Sequence, residues 1–300
     1  MRMLLLGKDG QVGRALEQRL RPLGELVACG RNTANLEEPD ALAGLVERVQ
    51  PDFIINAAAY TAVDTAESDA ARARLVNAEA VAALAASARK DRWLVHFSTD
   101  FVFDGLKPEP YVETDDAKPL SVYGATKLAG DQAILNAGCN HLIFRVSWVY
   151  SLGHDNFPST MLRLGKDRTD LRVVADQIGA PTSAGLIAEV AATAIARIAN
   201  TDGDAAGLSG LYHLAPSGAV GRADLAKYVI SESRQQGAEL MISPEGVTPI
   251  PTADYKTPAA RPLNSRLETK KLQHAFGVGL PPWQDDMRSF ITDMVRGETA

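Results

Sequence analysis

The sequence predicts an α/β protein: a Rossmann-like, doubly wound parallel sheet with a smaller, mostly helical carboxyl-terminal lobe. Three observations predict it. Short, wholly apolar runs recur through the first half of the chain, as strands buried on both faces require. The first of them, Met3-Leu4-Leu5-Leu6, enters the loop Gly7-Lys8-Asp9-Gly10-Gln11-Val12-Gly13, and helical spacing follows through Leu20. After Arg145 the composition changes, with proline-rich loops separating helical segments.

The elements follow in order. In the opening loop, Gly7 permits a tight turn, Gly10 lets the backbone approach a pyrophosphate, and Gly13 lets helix and strand pack closely. Arg14 to Leu20 has helical spacing, with Val12, Leu16 and Leu20 on one face, and free amides at the helix start suit phosphate. An ordinary glycine-rich turn is the plainer alternative; a strand before and a helix after favour a dinucleotide. The second strand, Leu26–Cys29, runs into Gly30-Arg31. An acidic residue commonly stands there and holds a ribose 2′-hydroxyl. Without a carboxylate, and with Arg31 able to pair with a 2′-phosphate, the sequence favours NADPH and leaves NADH open. Arg31 as a solvated loop residue is the alternative.

Asp52–Ile55 is the expected third strand, and Asn56-Ala57-Ala58-Ala59-Tyr60 follows it with small residues where a cofactor would meet the sheet edge. Tight core packing would also explain the alanines. One long helix is expected over 66–90, then a fourth strand, Trp93–Phe97, capped by Ser98-Thr99-Asp100, and a fifth, His141–Arg145. Tyr123-Gly124-Ala125-Thr126-Lys127 places a phenol and an amine at i and i+4 on one helix face. A lysine beside a phenol favours the phenolate and lowers its pKa, which suits a general acid. Most such pairs are solvated helix faces, and only the nucleotide context favours chemistry. Further helices are expected over 184–199, 221–236, 268–276 and 283–295, with a short strand over 210–214. The domain reading is a nucleotide-binding domain over 1–150, with later elements interleaved at about 171–215, and a substrate lobe mainly over 151–300.

Bulk properties narrow the partners. A chain of 300 residues with net charge −6 and no basic block argues against nucleic acid. No apolar run approaches membrane-spanning length, and the first residues read as a strand, so a cytoplasmic protein is expected. Cys29 and Cys139 lack metal spacing and read as free thiols, and the five scattered histidines show no metal motif.

The chain resembles the extended short-chain dehydrogenase/reductases, and within them the dTDP-4-dehydrorhamnose reductase family. The resemblance runs nearly end to end. It rests on the glycine loop, on Asn56 to Glu67, Ser98 to Gly105 and Tyr123 to Gly130, and on Phe144 to Tyr150, Asp176 to Thr182 and Arg261 to Ser265. It implies that Tyr123 donates a proton to the ketone oxygen, that Thr99 hydrogen-bonds the same oxygen, and that Lys127 holds the nicotinamide ribose. It implies sugar-nucleotide contacts from Asp100 and Trp148, pyrophosphate contacts from Gly10, Gln11 and Val12, and ribose and nicotinamide contacts from Ala58, Ala59 and Tyr60. Arg261, in a proline-flanked loop, is a candidate diphosphate ligand; a surface ion pair is its alternative, and a core role is that of Trp148.

Departures accompany the likeness. Phe101 stands where the family usually has Tyr, Asp131 where it has Glu and Val146 where it has Thr. Ala15 and Gly185 occupy positions where some relatives carry magnesium-binding glutamates, so no such metal is expected, and the state is monomer or homodimer. Two rivals remain: a nucleotide-sugar epimerase of the same fold, and a non-catalytic regulatory relative of the methionine adenosyltransferase partner.

Overall fold

A computed structural model describes residues 1–88, 92–201, 203 and 205–297. Its centre is a six-stranded, all-parallel sheet built from β1 (Arg2–Leu6), β2 (Glu25–Cys29), β3 (Phe53–Asn56), β4 (Trp93–Thr99), β5 (Asn140–Val146) and β6 (Gly210–His213), in the order β6-β5-β4-β3-β1-β2. The expected strands are all present, displaced at their ends by one or two residues. From β1 the chain first adds β2 on one side and then crosses back to add β3 on the other. This reversal opens a crevice at the carboxyl ends of β1 and β3, where Leu6 pairs with Asn56.

Alternation along β1 sends Met3 and Leu5 to one face and Leu4 and Leu6 to the other, and all four are fully buried. Helices α1 (Gln11–Leu20) and Ala184–Ala199 cover the first face; Pro39–Val49 and Ala80–Ala88 cover the second. Burial on both sides is why these strands read as unbroken apolar runs. Gly13 is the tightest point of the arrangement: a Cβ there would lie 1.9 Å from the Gly7 carbonyl oxygen. Gly7 has φ +82°, and its own Cβ would press on the Ala58 backbone nitrogen at 2.7 Å.

The single helix expected over 66–90 is instead four pieces: Val63–Ala66, Ala70–Arg74, a π-helical turn at Leu75–Glu79, and Ala80–Ala88. Its expected end at Lys90 falls outside the described residues. The π turn has a job: it turns Asn77 so that its Oδ1 accepts from the Tyr60 N–H at 2.9 Å while its Nδ2 donates to the Tyr60 carbonyl at 3.1 Å and to Thr126 Oγ1 at 3.2 Å. A regular helix would present a different side chain there.

A third apolar core unites the helices Phe157–Gly165, Arg222–Gln235 and Trp283–Arg296 around a two-stranded sheet in which Leu171–Val174 pairs in parallel with Val247–Ile250. Of the interval from about 171 to 215, Ala184–Ala199 and β6 join the main sheet, whereas Leu171–Val174 does not. The helix Lys270–Phe276 also packs toward the main sheet through Leu272 and Phe276. Gly13→Ala is expected to cost about 1–3 kcal/mol by overpacking and to weaken dinucleotide binding, measured by urea unfolding and NADPH titration.

Candidate active site

A cleft of about 740 Å³ lies at the carboxyl edge of the sheet. The helix Val122–Ala137 delivers Tyr123 and Lys127 to it. Ser121 caps that helix by accepting from the Gly124 N–H at 3.1 Å. Gly124 is required by contact: a Cβ would meet the Phe101 carbonyl oxygen at 2.2 Å. This approach sets the Phe101 and Tyr123 rings edge to face, 5.6 Å apart. Phe101 therefore packs on the phenol it accompanies.

The helix is pinned from below. Asp131 is wholly buried, 3.2 Å from Arg145 Nε and accepting from Ser98 Oγ at 2.8 Å. One turn earlier, Lys127 Nζ donates to the Phe97 carbonyl at 2.6 Å and lies 3.1 Å from His96 Nε2, while Asn56 Nδ2 lies 3.2 Å from His96 Nδ1. Burial holds Lys127 down to about 8, against the pull of Asp131, and keeps His96 neutral.

Tyr123 departs from the expectation drawn from its spacing. Burial pushes its phenol up to about 12, and the hydrogen bond with Thr99 is what opposes this. Lys127 is not among the groups that oppose this rise; its ammonium donates to the Phe97 carbonyl and lies 3.1 Å from His96 Nε2. A phenol that stays protonated at neutral pH still suits a proton donor. Thr99 Oγ1 donates to Asp100 Oδ1 at 3.1 Å. Asp100 is raised to about 6 by burial, and its Oδ2 is a buried acceptor with no partner among the described residues.

Of the residues singled out by sequence, Gly7, Gly10, Gln11, Val12 and Arg31 line one end of the cleft, with Ala58 and Ala59 beside them. Thr99, Asp100, Tyr123 and Lys127 line its centre, and Trp148 and Arg261 its far wall. Two do not line it. Gly13 lies under Gly7 in the helix-strand contact, and the Tyr60 hydroxyl turns away to donate to Asp69 at 3.2 Å. Arg261 is already engaged: it holds Asp64 through two bonds of 3.1 and 2.8 Å and also donates to the Ala259 carbonyl.

Among the cleft residues that the sequence did not single out are Asp9 and Arg222. Asp9 supplies the carboxylate that the end of β2 lacks. A Cβ on Gly30 would lie 2.1 Å from Asp9 Oδ2, so the missing side chain makes room for an acid from the glycine loop. β2 itself ends without a carboxylate, as the sequence reads, and Asp9 reaches that end from the neighbouring glycine loop. The Arg222 guanidinium carbon lies 3.8 Å from the Trp148 ring centroid and 4.8 Å from that of Phe157. Trp148 holds a left-handed φ of +47°, and its ring presses on Gly179, where a Cβ would approach within 2.8 Å. The helix that Arg222 opens was expected over 221–236, but no signal in the chain marked Arg222 itself as a cleft residue.

Among the described residues no helix is long and apolar enough to cross a membrane, and no cluster of three or more His, Cys, Asp or Glu side chains is placed to hold a metal.

A doubly wound sheet with a glycine loop at its switch point and a Tyr/Lys/Thr grouping at the same edge defines an extended short-chain dehydrogenase/reductase. The model of the RmlD substrate binding domain family matches residues 1–296, and the chain belongs to that family. It is 45% identical to the dTDP-4-dehydrorhamnose reductase of Escherichia coli (strain K12) over 299 residues, covering 98% of each chain. It is 42% identical over 296 residues to the enzyme of that name from Burkholderia thailandensis, covering 98% of this chain and 99% of that one. The crystal structure of dTDP-4-dehydrorhamnose reductase from Bacillus anthracis in complex with NADP superposes with a TM-score of 0.85 at 30% identity, covering 97% and 99% of the two chains.

Asp131→Ala is expected to destabilise the protein by about 3–5 kcal/mol, because it leaves the Arg145 charge buried and unpaired. Adding Arg145→Met should restore a large part of the loss in urea unfolding.

Proposed function

We propose that this chain reduces the C4 ketone of dTDP-4-dehydro-L-rhamnose with NADPH, giving dTDP-L-rhamnose. The observation that carries the reading is the convergence of Tyr123, Thr99 and Lys127 on the cleft that the glycine loop enters. The residues fit a dinucleotide: Gly7 and Gly10 bring backbone to the start of α1, and Ala58 leaves the crevice open. Bound NADPH supplies the hydride. The chain supplies the rest. Thr99 and Tyr123 bracket one oxygen position and stabilise negative charge as it grows there. Tyr123 gives its proton to that oxygen. Lys127, fixed on the Phe97 carbonyl, would hold the nicotinamide ribose of the bound cofactor. Asp100 Oδ2 accepts from a sugar hydroxyl, which gives a buried orphan acceptor its partner.

The cofactor domain comprises residues 1–150 with Ala184–Ala199 and Gly210–His213, and the third core carries the sugar nucleotide. The buried free thiols of Cys29 and Cys139 suit the cytoplasm.

Cofactor choice rests on two opposed charges at the end of β2. Arg31 attracts a 2′-phosphate, whereas Asp9 repels it and accepts from a ribose hydroxyl. The test is turnover with dTDP-4-dehydro-L-rhamnose and either NADPH or NADH, with stoichiometric loss of reduced nicotinamide. Tyr123→Phe should lower kcat by about 10²–10⁴ while leaving NADPH affinity unchanged. Arg31→Ala should lower the NADPH:NADH ratio of kcat/KM by roughly 10-fold or more, and Asp9→Asn should raise it. Turnover of the Tyr123→Phe variant at the parent rate would reject the assignment.

A further inference from the structure

Among the described residues, four lysine and arginine side chains line the cleft: Arg31, Lys127, Arg222 and Arg261. Lys127 is committed to Phe97 and His96. Arg261 is held in a two-bond pair with Asp64, though its charge still reaches Arg222. Arg31 sits at the far end beside Gly30 and the glycine loop. The Arg222 guanidinium also lines the cleft, yet among the described residues it makes no hydrogen bond or ion pair. The Asp100 carboxylate acts on it only from beyond ion-pair distance. Its pKa falls to about 10, with burial the main cause.

A desolvated cation without a partner is costly, and the surroundings are built to hold it nonetheless. The backbone N–H of Arg222 donates to the Gln177 carbonyl at 3.1 Å. Gly221 pairs with Ile178 in a two-residue antiparallel ladder, and the next residue, Gly179, supports the Trp148 ring. Trp148 and Phe157 lie against the guanidinium as cation-π partners. A guanidinium stacked on ring faces spends none of its in-plane N–H donors, which leaves them for a ligand in the cleft that Arg222 lines. Planar donors of that kind match two oxygens of a phosphate. The left-handed backbone at Trp148 is held by the Thr182 N–H, which donates to the Trp148 carbonyl at 3.2 Å, so the indole is fixed before any ligand arrives.

We propose that Arg222 takes the diphosphate of the nucleotide sugar, and that Trp148 and Phe157 serve it as positioning residues. The inference deepens the nucleotide-sugar reading and rests on it. It shifts the diphosphate from Arg261, whose guanidinium Asp64 already holds. It also gives Trp148 a role through Arg222, because the ring that was expected to meet the sugar directly carries the guanidinium.

The test is calorimetric binding of dTDP and of thymidine to the full-length protein saturated with NADPH, comparing the parent with Arg222→Met and Arg222→Lys. Arg222→Met should weaken dTDP by roughly 10- to 100-fold, leave thymidine and NADPH affinity unchanged, and raise KM more than it lowers kcat. Arg222→Lys keeps the charge and loses the two-oxygen geometry, so it should fall between. Parallel loss of NADPH affinity would mark a collapsed cleft and overturn the proposal, as would a dTDP affinity for Arg222→Met within twofold of the parent. Arg222-dependent dTDP binding without ketosugar turnover would uphold this inference while rejecting the reductase reading. Turnover with dTDP affinity indifferent to Arg222 would do the reverse.

Discussion

The buried pair of Asp131 and Arg145 fixes the geometry on which the site depends. Arg145 lies on β5, Ser98 at the end of β4, and Asp131 on the helix that also bears Tyr123 and Lys127. One carboxylate thus ties three elements together. It sets the register of that helix against the sheet edge, and with it the distance between the phenol and Thr99. Such a pair contributes little net stability over an apolar replacement, but half of it alone would be severely destabilising. Its value here is placement. Gly130, beside Asp131, fits the same helix against the π turn, since a Cβ there would lie 2.2 Å from the Asn77 carbonyl oxygen.

Burial is the common cause of the site's protonation pattern. The same desolvation raises Tyr123 to about 12 and Asp100 to about 6 and lowers Lys127 to about 8. At neutral pH this leaves a protonated phenol, an ionised acceptor and a charged amine in one cleft. Each is in the form that proton donation, hydroxyl recognition and charge support require. Specific neighbours adjust the pattern rather than create it: Thr99 pulls Tyr123 down, Ser265 and Thr99 pull Asp100 down, and Asp131 pulls Lys127 up.

Much of this was legible in the sequence, where local chemistry and position agreed. The parallel strands announced themselves because burial on both faces forbids polar interruptions. The helix Ala184–Ala199 matched its expected bounds because Ser183 caps it and its apolar stripe is continuous. Gly7 and Gly13 were assigned correctly as turn and close contact because only contact explains them. What escaped depended on partners distant in sequence. The π turn at Leu75–Glu79 has no local marker; it exists to bring Asn77 to Tyr60 and Thr126. Tyr60 looked like a cofactor residue by position, but its hydroxyl found Asp69 instead. Asp9 drew no reading of its own within the glycine loop, because its carboxylate reaches the end of another strand. Arg222 was invisible for the same reason, since Trp148 lies 74 positions away in the chain and meets it only through the Gly221–Ile178 ladder.

The account's central claim is that one cleft delivers a nicotinamide hydride and a tyrosine proton to the two ends of a single carbonyl. Transfer of deuterium from NADPH labelled at nicotinamide C4 tests it most directly, with the nucleotide-sugar product read by mass spectrometry and proton NMR. The account predicts one deuterium per product from one C4 position of the cofactor, bonded to C4 of the hexose, with no solvent hydrogen at that carbon. Product carrying solvent hydrogen at C4, or label at any other sugar carbon, would contradict it.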